Sequence, residues 1–73
     1  MSDGMPRDVE IRGDTIRLGQ LLKLAGIADS GGEARAFVEA GEVTVNGERE
    51  LRRGRQLHPG DVVAVRDESV RIV

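Results

Sequence analysis

No cysteine occurs among the 73 residues, so neither a disulfide nor a thiolate metal site can staple the fold. Phe37 is the one aromatic residue, with no Trp or Tyr beside it. Single-strand binding by stacking bases on aromatic rings is therefore disfavoured, because the platform is missing. Long apolar runs are also absent. Stretches such as Val62-Val63-Ala64-Val65 fall far below the ~20 residues a membrane crossing needs. The opening Met1-Ser2-Asp3-Gly4-Met5-Pro6 is polar and lacks the basic-then-apolar order of a secretion signal. A cytoplasmic protein is expected, with a loose tail over residues 1–8 and one domain over 9–73. A chain this short buries only about 60% of the surface its unfolded form exposes, so everything rests on one compact core.

Residues for chemistry are scarce too. His58 is the single histidine, and Ser2, Thr15, Ser30, Thr44 and Ser69 are the only aliphatic hydroxyls. His58 and Asp61 flank Pro59-Gly60, which invites a general-base reading, but no nucleophile or metal set stands at useful spacing. Turn chemistry accounts for both residues. No catalytic residue, metal ligand, cofactor or small-molecule substrate is assigned.

What is present is charge. Ten of the eleven basic residues are arginine, Lys23 being the exception. Arginine offers a planar fork for phosphates and base edges, although a GC-rich genome produces the same bias. The net charge of −2 argues against a nucleic-acid binder, which is usually basic. Position qualifies that objection. Acids outnumber bases at both ends, whereas Arg49, Arg52, Arg53 and Arg55 crowd into seven residues. A phosphate feels the local potential rather than the sum.

The hydrophobic pattern divides the chain into elements. Val9 and Ile11 alternate with Glu10 and Arg12 as a short strand, closed by Gly13-Asp14. Leu18, Leu21, Leu22 and Ala25 mark one helical face, and Gly26 stops that helix. Ser30-Gly31-Gly32-Glu33 forms a capping box before a second helix, whose buried face is Ala34, Phe37 and Val38 and whose end is Gly41. Val43 and Val45 alternate with Thr44, and Asn46-Gly47 supplies a type I′ turn into a return strand over 48–51. Residues 52–56 show no alternation and read as a basic loop without core contact. Leu57 leads into a Pro59-Gly60 type II turn. A strand over 62–65, a turn at Asp67-Glu68-Ser69 and an edge strand through Val70 and Ile72 complete the chain. Helices and strands segregate, which predicts an α+β domain: two short helices packed on a small, mostly antiparallel sheet.

Two segments bear on binding. Ser30-Gly31-Gly32 reads either as a tight turn with a cap or as a helix start open to phosphate, with Arg35 about one turn further in. The four arginines over 49–55 repel one another unless an anion joins them, and Gly54 lets the loop bend. Glu48 and Glu50 can neutralise part of that charge. An anion-binding loop, with nucleic acid as the leading anion, is preferred to a merely solvated one.

The sequence resembles the S4 RNA-binding domain, best of all its small stand-alone bacterial versions. The resemblance spans residues 16 to about 66 and rests on Ile16-Arg17-Leu18, Leu21-Leu22-Lys23-Leu24-Ala25-Gly26-Ile27 and Ser30-Gly31-Gly32-Glu33-Ala34-Arg35. It continues through Gly41-Glu42-Val43-Thr44-Val45-Asn46-Gly47, then Arg52-Arg53 and Pro59-Gly60-Asp61-Val62-Val63. It implies a helix pair on a small sheet, with RNA lying across the helices and an adjoining loop. The contacts it implies are Arg17, Lys23, Ser30, Arg35, Arg52, Arg53 and Arg55. The implied partner is structured RNA, ribosomal or transfer, met by a monomer through backbone phosphates and with no membrane involved. Two positions depart from the larger family: Gly19 where an acid is frequent, and Gly31 where Arg is common. Gly31 fits the stand-alone group. The rival reading is a protein-interaction module that keeps the fold without binding RNA, and the sequence pI of about 5.3 is its support.

Overall fold

Valine and isoleucine at every second position build one sheet face across four strands, in a computed structural model that describes residues 6–73. The strands of this sheet are β1 (Arg7–Val9), β3 (Val43–Val45), β4 (Glu48–Arg49), β6 (Val62–Val65) and β7 (Glu68–Ile72), in the spatial order β1-β7-β6-β3-β4. Val45 stands opposite Val63, and Val63 opposite Val70, so one buried row crosses three strands. Val43 with Val65, and Val9 with Ile72, extend the same face. A slip of one residue would turn all of these outward, so burial itself holds the register. Pairing is antiparallel except between β1 and β7, which run parallel.

The helices α1 (Leu18–Leu24) and α2 (Gly31–Glu39) close this face. Leu18, Leu21, Leu22 and Ala25 from the first, with Ala34 and Val38 from the second, join the sheet valines in one core. Both helices end in a Schellman motif. Gly26 at φ +76° and Gly41 at φ +75° donate to Lys23 and Val38, and the next residues, Ile27 and Glu42, donate to Leu22 and Phe37. The Asn46-Gly47 turn has both residues at positive φ, as type I′ requires.

The α+β reading holds, and several details differ. The loose tail expected through Asp8 ends earlier, since Arg7 and Asp8 pair with Val70 and Arg71 in β1 and β7. Residues 1–5 of that tail lie outside the described residues. The last strand is interior rather than an edge, because β1 covers it. Its hairpin turns at Arg66-Asp67, with Val65 opposite Glu68, one residue before the expected turn begins. Phe37 is half-buried at the rim of the core, with the Arg66 guanidinium 5.1 Å above its ring. A second, two-stranded sheet was not anticipated: β2 (Ile16–Arg17) pairs antiparallel with β5 (Gln56–Leu57). This small ribbon brings the basic loop to the start of α1.

Candidate nucleic-acid interface

At the N-terminus of α1 the first amides need partners, and no side chain supplies one. The loop does so instead. The Leu18 N–H donates to the Arg55 carbonyl at 2.9 Å and the Gly19 N–H to the Arg53 carbonyl at 2.9 Å. The seating does not depend on glycine: a Cβ at Gly19 would sit 3.6 Å from the Arg53 oxygen, in ordinary contact. Helix and loop are thereby locked main chain to main chain, and Arg53 is held beside α1.

Glu50 fixes the rest of the loop. It is the one buried charged residue among those described, and its side chain is only 8% exposed. Its Oε2 accepts from the Arg52 N–H and Nε, and its Oε1 accepts from Arg55 Nη1 at 2.9 Å. The hydrogen bonds from Arg52 and then Arg55 outweigh burial and push the carboxyl down to about 2. The expectation of a basic loop without core contact is therefore corrected. Two of its arginines already hold an internal anion, and Leu57 at its end is fully buried. Arg49 lies in β4 with its side chain against Gly41, apart from this cluster.

What remains for a ligand is a groove of about 280 Å³ between α1, α2 and the loop. Arg17 and Lys23 border it from the α1 side, Arg35 from α2 and Arg53 from the loop. Arg35 Nε donates to Glu39 Oε2 at 2.8 Å, an exposed i, i+4 pair worth little in water. Arg17, Lys23 and Arg53 have no carboxylate partner among the described residues, and no carboxylate lines the groove. Four of the seven residues implied by the resemblance thus converge. Arg52 and Arg55 sit behind them on Glu50, and Ser30 lies outside the lining, next to Gly31, which is part of it. The Ser30 hydroxyl accepts from the Glu33 N–H at 3.1 Å as a cap should. Glu33 reaches back one residue further than the usual box, accepting from the Asp29 N–H at 2.7 Å.

Sequence reasoning missed Gly19, Gln20 and Ala34 in the lining, and the part played by Glu50. Gln20 was legible in principle, being three residues from both Arg17 and Lys23 on a helical face. Glu50 carried no signal of burial, since it stands among charges.

The residues around Pro59-Gly60 are occupied by folding. Asp61 accepts from the His58 N–H at 2.8 Å and from Asn46 Nδ2 at 3.0 Å, and Asn46 Oδ1 accepts from the Val62 N–H. Hydrogen bonding from Asn46 and His58 lowers the Asp61 carboxyl from its ordinary value against a smaller opposing effect of burial. Among the described residues no group of three His, Asp or Glu side chains could hold a metal ion. Among them, too, no helix is long and apolar enough to cross a membrane.

This helix pair on a small sheet, with its cationic groove, defines the class, and comparison with known proteins agrees. The family model described as "S4 domain" matches residues 9–73, and the chain belongs to that family. It is 48% identical over 61 residues to a Bacillus subtilis protein named "Probable ribosome maturation protein RlbA", covering 84% of this chain and 86% of that one. It is 43% identical over 53 residues to the small ribosomal subunit protein uS4 of Pelotomaculum thermopropionicum, covering 73% of this chain and 26% of that one. The crystal structure of the 30S ribosomal protein S4e from Thermoplasma acidophilum shares the fold, with a TM-score of 0.65 at 24% identity. That likeness covers 85% of this chain and 33% of the ribosomal protein.

Proposed function

We propose that this protein is a non-catalytic binder of structured RNA that grips backbone phosphates in the groove between α1, α2 and the loop at 50–55. The observation that carries the reading is the convergence of Arg17, Lys23, Arg35 and Arg53 from four separate segments (β2, α1, α2 and the loop), three of the residues without a carboxylate partner among the described residues. Cations left unpaired on one surface repel one another and attract a polyanion. Arg52 and Arg55 hold the loop through Glu50, and Arg52 still presents an outward face, its side chain being 78% exposed. Ser30 acts through its cap, which fixes the start of the helix that carries Arg35.

Ribosomal RNA is the preferred target, with transfer RNA second. The support is kinship with a protein named for ribosome maturation and with a ribosomal subunit protein. With no aromatic platform, recognition runs through RNA shape and phosphate spacing. The test is titration of a folded ribosomal RNA fragment with wild type and with a variant carrying Arg17→Gln, Lys23→Gln and Arg53→Gln. The variant should bind at least tenfold more weakly while melting with wild type. Equal affinity of the two proteins would overturn the reading and favour a protein-interaction module.

A further inference from the structure

Beside the cationic groove lies a second hollow of about 250 Å³, bordered by Arg35, Val38, Glu39, Leu51 and Arg53. Arg35 and Arg53 border both, so the two hollows share an edge. Their chemistry differs. The first has no carboxylate and no large apolar side chain in its lining. The second has Leu51, which is 60% exposed, and a carboxylate with an oxygen to spare. Glu39 Oε2 takes the Arg35 Nε–H, while Oε1 has no hydrogen-bond partner among the described residues. A lone exposed leucine is ordinary. One bordering the same hollow as two arginines and an unfilled acceptor offers a particular surface: a mostly polar hollow with cationic sides, one exposed leucine and a single hydrogen-bond acceptor.

We infer that this hollow is a nucleobase subsite, taking one unpaired nucleotide of the RNA held in the neighbouring groove and preferring a base with an exocyclic amino group. The inference rests on the RNA-binding reading and adds a specificity to it. A phosphate on the shared Arg35–Arg53 edge leaves its attached base within reach of Leu51. The base covers the leucine, and guanidinium planes stack on base faces where no aromatic ring is at hand. Glu39 Oε1 then accepts from the base edge. Cytosine and adenine offer an amino group, and guanine offers N1–H beside one, as carboxylates commonly read. Uracil offers only N3–H between two carbonyl oxygens, which repel the carboxylate. A paired base cannot enter, because it stays stacked in the helix with its Watson–Crick edge already engaged.

The experiment uses three hairpin RNAs in dilute salt: a fully paired parent, and the same hairpin with one bulged C or one bulged U. Wild type should bind the C-bulged hairpin roughly three- to tenfold more tightly than either of the others, the worth of about one hydrogen bond. Leu51→Ala should lose that advantage and keep the affinity for the parent, its salt dependence and its melting temperature. Glu39→Gln should bind the parent more tightly, because Arg35 is released. It should also stop discriminating C from U, because an amide serves both bases. Equal wild-type affinity for all three RNAs, or an undiminished C preference in Leu51→Ala, overturns the subsite while leaving phosphate binding to the parent intact. Failure to bind any hairpin overturns the RNA reading as well.

Discussion

Glu50 is an acid placed among arginines, and it sorts them into two kinds. Arg52 and Arg55 spend hydrogen bonds on it, and Arg53, between them, does not. Substitution should separate the two roles. Arg53→Gln should weaken RNA binding and leave melting unchanged, whereas Arg55→Gln should lower stability by about 1–3 kcal/mol by leaving a buried carboxylate short of a partner. Thermal melts and RNA titrations on both variants check this, and equal melting temperatures would remove the structural part assigned to Arg55. Glu50 also makes stability depend on pH. Its carboxyl sits at about 2 in the fold against an ordinary 4.5, so the folded chain stays ionised where the unfolded chain takes a proton. The resulting stabilisation is complete above the ordinary value and is lost as pH falls from there towards 2. Glu50→Gln should therefore melt below wild type at pH 7, with the gap narrowing steadily as pH falls from about 5 towards 2. Parallel melting curves across that range would show that the ion cluster does not stabilise the fold.

At the scale of elements, what declared itself in the sequence was local and what did not was long-range. The faces of α1 and α2, their glycine stops, the Ser30 cap and the Asn46-Gly47 turn are each written in a few adjacent residues, and all are present. The β2–β5 ribbon joins residues about forty apart through two-residue strands, too short for an alternation to register. The covering of β7 by β1 is likewise invisible to a local pattern, because Arg7 and Asp8 carry no strand signature. The groove was legible in its cations and not in its assembly, which depends on that ribbon. Phe37, read as a buried helix position, is partly exposed, and Leu57, to which the pattern assigned no burial, is completely enclosed. Leu57→Ala should accordingly cost ~2–5 kcal/mol and Phe37→Ala less, about 2 kcal/mol, with chemical denaturation giving the order. Ser30→Ala should cost ~0.5–2 kcal/mol, since the Glu33 amide loses its acceptor. If Phe37→Ala proves the more damaging of the two core changes, the rim packing is misdescribed.

For the whole molecule the central fact is a net charge of −2 that coexists with a cationic groove. Some of the acids are paired with arginines elsewhere. Glu42 takes Arg66 at 2.6 Å, its carboxyl lowered by that bond, and Asp8 takes Arg71 at 3.1 Å. These exposed pairs add little to stability. Their effect is to neutralise arginines away from the groove, leaving Arg17, Lys23 and Arg53 to dominate the field near it. Such an arrangement predicts short-range capture of a polyanion rather than long-range steering, since an acidic body repels RNA beyond a screening length of about 10 Å at 0.1 M salt. Binding should then follow the number of phosphates engaged. Four groove cations give a log–log dependence of affinity on salt with a slope of roughly −3 to −4. Each single change among Arg17→Gln, Lys23→Gln and Arg53→Gln should flatten that slope by a little under one. Arg66→Gln, outside the groove, should leave it unchanged. The titration is run at several salt concentrations with one folded RNA, and the slopes are compared across variants. A wild-type slope near zero would mean that an apolar or base-directed interface, not the cationic groove, makes the contact. An Arg66→Gln slope that flattens as much as that of Arg53→Gln would mean that charge anywhere on the surface counts equally, and the groove would lose its claim as the phosphate site.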